Sequence, residues 1–164
     1  MRASLKLAAA LCVMLVLAAC GGGVASPHAS TSAAATSAPI LAFTNTPLVG
    51  VARATVNGAA ATVLTDIQGF TLYYFAQDTA TVSHCTEFCA SEWPPLLFTG
   101  IGVPTSSTPL PETLRVVVNG NGHQVQYAGH FLYTYTGEDT PGDTEGDGQL
   151  GGQWHAATTD LASG

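Results

Sequence analysis

The sequence predicts an all-β domain, mainly antiparallel, built from two related β-hairpin units. Three observations carry that expectation. Short runs such as Val63-Leu64-Thr65 alternate faces with the two-residue period of a strand. Asn-Gly and Ala-Gly pairs punctuate the runs. And a pattern recurs: Gly69, Leu72, Tyr73, Phe75 and Asp78 match Gly129, Leu132, Tyr133, Tyr135 and Glu138 at an offset of 60, and Trp93 matches Trp154 at 61. Such a repeat decides the architecture before any single residue does.

The first unit spans about residues 55–98. Val63, Thr65 and Ile67 alternate with Leu64 and Asp66, and "DIQG" turns the chain. In "TLYYFA", Thr71, Tyr73 and Phe75 face one way and Leu72, Tyr74 and Ala76 the other. "SHCTEFCASEW" is the one stretch suited to a short helical turn, with Ser83 as a candidate cap and Pro94 as its stop. The two prolines after Trp93 are expected to end regular structure. The second unit, about residues 114–157, opens with "LRVVV", turns at "NGNG", and continues through "HQVQYAG" to "HFLYTYT". There Val125 and Tyr127 share a face, as do Phe131, Tyr133 and Tyr135. The alternation leaves open whether the units form one sheet, a sandwich or a partial barrel.

Ahead of the domain, assigned to residues 46–164, lies an export signal. Arg2 and Lys6 precede an apolar run from Leu7 to Ala19 that is too short for a membrane span and fits a signal peptide, residues 1–19. Leu17-Ala18-Ala19-Cys20 matches the bacterial lipobox, which implies cleavage before Cys20 and acylation of its sulfur and its new amino group. Several acyl chains anchor stably, at about 0.8 kcal/mol per buried methylene. Residues 20–45 are otherwise mostly Gly, Ala, Ser and Thr, the composition of a flexible tether. The expected address is the outside of the bacterial cell membrane, with the membrane reached through the lipid on Cys20. Removal of the signal leaves Arg53 and Arg115 as the only Lys or Arg side chains against eleven acidic groups, a net charge of −9. That speaks against nucleic-acid binding, which needs a basic footprint.

The quoted segments "GFTLYYFAQD", "CTEFCASEWPPLL", "VQYAGHFLYTYTGED", "PGDTEGDG" and "GGQWH" resemble the bacterial secreted-repeat lipoproteins of unknown function. Their mark is Tyr-x4-Asp with an inner aromatic, and the resemblance spans about residues 55–157. It places Tyr73, Phe75 and Asp78 in the first motif and Tyr133, Tyr135 and Glu138 in the second, where glutamate stands in for aspartate. It implies an exported lipoprotein and assigns no reaction.

The remaining candidates are weighed on their own chemistry. A tyrosine and a carboxylate in one motif can build a groove, but a buried ring with an acid that pins its own loop explains the recurrence more simply. No nucleophile with a base and an orienting group is visible, so the domain reads as a non-enzyme. Cys85 and Cys89 are the only cysteines of the domain and read as a disulfide in an exported chain, within a distorted turn. Their alternative is thiol redox work or metal ligation with His84, His123, His130 or His155, which otherwise read as surface or strand histidines. Asp143, Glu145 and Asp147 echo the start of a calcium loop, but its terminal glutamate is missing, because Trp154 falls at that position. Trp93 and Trp154 read as core. No cofactor is called for. The functional expectation is a non-catalytic binding or structural lipoprotein of the cell envelope, and the alternative is redox or metal handling involving copper, haem or calcium.

Overall fold

The computed structural model describes residues 46–164. The signal segment, Cys20 and the tether lie outside the described residues. The described chain is mostly antiparallel β. β1 (Gly50–Val56) and β2 (Ala59–Thr65) form a first hairpin. Its turn is Asn57-Gly58, with φ of 50° and 78°, the left-handed pair that matches strand twist. β1 lies largely ahead of the expected first unit, although that Asn-Gly pair signals it. β3 (Tyr73–Phe75) follows, then the helical turn α1 (Phe88–Glu92). β4 (Leu114–Asn119), β5 (Gly122–Tyr127) and β6 (His130–Phe131) form a three-stranded sheet in that order. Its second turn is Ala128-Gly129, again with both φ positive, at 51° and 87°. A short turn, α2 (Gln149–Gly152), leads into β7 (Trp154–Ala156), which pairs antiparallel with β3.

The two units do not stand side by side as separate hairpins. Each is completed by a segment of the other. The chain after Trp154 enters the first unit: Leu64 N–H donates to the Ala157 carbonyl, Ala157 N–H to Leu72, and Leu72 N–H back to Leu64, all at 2.7–2.8 Å. The chain after Trp93 enters the second unit by the same ring of bonds, Val125 to Leu96, Leu96 to Leu132, and Leu132 to Val125, at 2.8–3.0 Å. Leu64, Leu72 and Leu96 correspond to Val125, Leu132 and Ala157 at offsets of 61, 60 and 61, so the two rings are equivalent. The aromatic strands meet between them, where Tyr73 and Tyr133 exchange backbone hydrogen bonds of 2.8 and 2.9 Å.

Regular structure ends at "WPP" as expected, since α1 stops at Glu92 and no strand resumes before β4, but the segment still reaches the other unit through isolated bridges. Pro94 and Pro95 lack donors, but the segment uses them as acceptors or by geometry alone. Thr134 N–H donates to the Pro94 carbonyl, Pro95 bridges Tyr133, and Leu97 bridges Gln124. Proline is tolerated in a strand where its missing N–H has no ladder partner.

Strand alternation then builds two cores. Odd-numbered Tyr73, Phe75, Phe131 and Tyr133 are buried in one, with Trp93, Trp154 and Val63. Even-numbered Leu72 and Leu132 are buried in the other, with Leu64, Val125 and Tyr127. The first core is the one that positions the motif residues.

Candidate functional site

The motif aromatics form a stack of four rings. Tyr135 lies on Trp93 with centroids 4.3 Å apart, Trp93 on Trp154 at 3.8 Å and 4° between planes, and Trp154 on Phe75 at 4.6 Å. The order is symmetric under the repeat: an inner aromatic of one copy covers the tryptophan of the other, and the two tryptophans meet in the middle. Tyr73 meets Trp93 edge-on at 5.5 Å, and Tyr133 meets Trp154 edge-on at 5.1 Å. Both arrangements suit the ring quadrupoles.

The hydroxyls of the two motif tyrosines are exchanged between copies in the same way. Tyr73 of the first copy donates to Glu138 Oε1 of the second. Tyr133 of the second donates to Asp78 Oδ2 of the first, at 2.7 Å. Both rings are buried, as the simpler expectation has it, but the pairing crosses between the copies. These residues do not line one open pocket, and they are not confined to two separate hairpins. Local sequence spacing pairs each tyrosine with its own acid, whereas the strand exchange carries it to the other.

The two pairs differ in surroundings. Asp78 is half-buried, and its Oδ1 accepts the His84 N–H at 2.7 Å, so it closes its own loop as expected of a turn aspartate. Burial raises its carboxyl above the usual range, against the pull of Tyr133 and the His84 amide. The Tyr133 hydroxyl also lies 2.7 Å from Ser83 Oγ, which Asn121 Nδ2 reaches at 3.0 Å. Asn121 Nδ2 also reaches the fully buried Gln124 through its Oε1, at 3.2 Å. Ser83 is thus a buried member of this network and not a helix cap; α1 begins five residues later with no side-chain cap. Sequence spacing does not single out Ser83, Asn121 and Gln124 as partners. The signal for Gln124 was a polar residue interrupting "HQVQY" beside apolar neighbours.

Glu138 is buried, 7% exposed. Its Oε2 has no hydrogen-bond partner among the described residues. Burial pushes its carboxyl up to about 7, opposed by the Tyr73 hydrogen bond and reinforced by the nearby Asp143 charge. The phenol of Tyr73 is raised strongly by burial and then by Glu138, and that of Tyr133 chiefly by burial. Both therefore remain protonated donors. The Gly146 N–H also points at the Tyr73 hydroxyl, at 3.3 Å. Only glycine fits there, since a Cβ would lie 2.7 Å from the Tyr73 ring and 3.0 Å from Trp93. A protonated phenol against a carboxylate inside a stacked core can hold two segments together. It offers no open position for a substrate.

Cys85 and Cys89 lie at disulfide distance, their Cα atoms 5.0 Å apart, around a turn distorted by a φ of 52° at Glu87. The acidic loop is tied to its neighbours. Asp143 Oδ2 accepts the Thr140 N–H, and Asp147 accepts the Ala156 N–H and the Asn57 side-chain amide, while Glu145 is exposed. Among the described residues, no three His, Cys, Asp or Glu side chains gather as metal ligands would. His84 and His123 are exposed. His130 is not the free surface residue expected after a turn glycine. It packs on Tyr74 at 4.7 Å and reaches the Ala162 carbonyl, while His155 covers the same tyrosine at 5.2 Å.

Residues 54–97 match the model of a family described as a secreted repeat of unknown function. The match covers the first copy, with Tyr73, Phe75, Asp78 and Trp93. No curated protein and no solved structure matches the chain. Among the described residues, no helix is long and apolar enough to cross a membrane.

Proposed function

We propose that the protein is a lipoprotein of the bacterial envelope, anchored through Cys20, whose folded part is a rigid, non-catalytic binding module. One observation carries the non-catalytic reading. The hydroxyls of Tyr73 and Tyr133, the carboxylates of Asp78 and Glu138, and the rings of Phe75 and Tyr135 all hold one copy to the other. The recurring motif is thereby accounted for as a clasp, and the loops that differ between copies are left to meet a partner. The anchor rests on the lipobox, on a match to a secreted repeat, and on the low-complexity stretch between Cys20 and residue 45.

The anchor is tested by labelling expressing cells with a palmitate analogue and partitioning the product in detergent. The wild-type chain should carry label and enter the detergent phase, and Cys20→Ser should do neither. Unlabelled wild-type protein in the aqueous phase would remove the lipoprotein reading. Redox work by Cys85 and Cys89 is the second reading, favoured by the incomplete burial of Cys89 in an otherwise closed core.

A further inference from the structure

Where the two copies meet at the surface, a groove of about 280 Å³ opens beside the stacked tryptophans. α1 supplies Phe88, Cys89 and Glu92 on one side, α2 supplies Leu150 on the other, and Trp93 and Trp154 form the floor. Phe88 is 92% exposed and Leu150 64% exposed, unusual for side chains of their size standing together. Both are held out by costly backbone. Glu87, just before Phe88, has φ 52°, and Leu150 itself has φ 55° and ψ 41°. Non-glycine residues adopt such angles at a cost of about 1–3 kcal/mol each, and they persist where surrounding structure imposes them. Folding therefore does not hide these two side chains; it presents them.

The charge around the groove has one sign. Glu92 lines it, and Glu87 adjoins Phe88 in the chain. Arg53 and Arg115 lie on β1 and β4, which contribute nothing to the groove. The space is below the roughly 300–1,000 Å³ of a drug-sized ligand site. It suits one or two apolar side chains of a larger partner. A second copy of this chain, itself at −9 after signal removal, would be repelled.

We infer that this groove docks a basic, apolar peptide segment of another protein, its apolar side chains between Phe88 and Leu150 and its Lys or Arg side chains against the glutamates. An exposed phenyl face also attracts such cations. The inference rests on the binding reading above but not on the anchor, so it is tested on the full exported chain carrying Cys20→Ser.

The probe is the synthetic peptide acetyl-Lys-Arg-Leu-Phe-Arg-Lys-amide, followed by tryptophan emission. The control replaces its four cations by glutamate. The basic peptide should give a saturable change that weakens with salt, and the acidic one none. Phe88→Ser should weaken binding at least tenfold and Glu92→Gln severalfold. Leu150→Gly relieves the left-handed strain, so it should raise the thermal midpoint while weakening binding, a combination that misfolding cannot produce. No saturable change, equal binding of both peptides, or undiminished binding by Phe88→Ser would each overturn the inference.

Discussion

The loop from Asp78 to Trp93 and the loop from Glu138 to Trp154 join equivalent points of the fold by different means. Eight residues before each tryptophan stands Cys85 in one and Gly146 in the other, and four residues before stand Cys89 and Leu150. The first loop is tied covalently, and its acid is half-buried with a hydrogen bond on each oxygen. The second has no covalent tie. It is drawn in by the close approach of Gly146 to Tyr73, and its longer acid reaches deeper, leaving Oε2 without a partner. Two loops can thus perform one clasping task while only the second carries an unsatisfied buried group. The equivalence should be strongest at the stack and weakest at the acids.

The largest effects test the stack. Trp93→Ala and Trp154→Ala each remove a ring held between two others, and each should cost about 3–5 kcal/mol in urea unfolding. Equal costs support the symmetry; a difference beyond about 2 kcal/mol would break it.

The phenols should separate the copies. Tyr73→Phe leaves the buried Glu138 without its one hydroxyl donor and should cost about 2–3 kcal/mol. Tyr133→Phe leaves Asp78 with the His84 amide and access to water, and should cost about 1 kcal/mol. The reverse order would show that Asp78 is the more dependent acid.

The smallest effect is in pH. Glu138 has a folded value of about 7 against an ordinary 4.5, so the folded state holds the extra proton between them. Its contribution to stability is complete below 4.5, falls as pH rises through the window, and is gone above about 7. The loss should be about 1 kcal/mol between pH 6 and 8. Asp78, also raised, acts in the same direction. Glu138→Gln should flatten the profile more than Asp78→Asn does, and equal flattening would equate the two acids.

Much of this was legible in the sequence, because it is local. The Ala128-Gly129 turn, the faces of Tyr73, Phe75 and Leu72, and the short turn around Phe88 follow from period and turn chemistry. β1 is signalled only by Asn57-Gly58, because it lies largely ahead of the repeat. The choice of partner was not legible. Strand period says which face a tyrosine takes and nothing about whose carboxylate waits there. The exchange runs through Pro94–Phe98 and the chain after Trp154, where prolines and small residues give no alternation to read.

The two rings of backbone hydrogen bonds have a consequence for what counts as a unit. Each ring takes two of its three members from one copy and the third from the other. The repeat is therefore half of a domain in the way that one subunit is half of a strand-swapped dimer, with residues 99–113 serving as the covalent link. The smallest complete object is the pair, and selection on either copy acts on a surface that both have made.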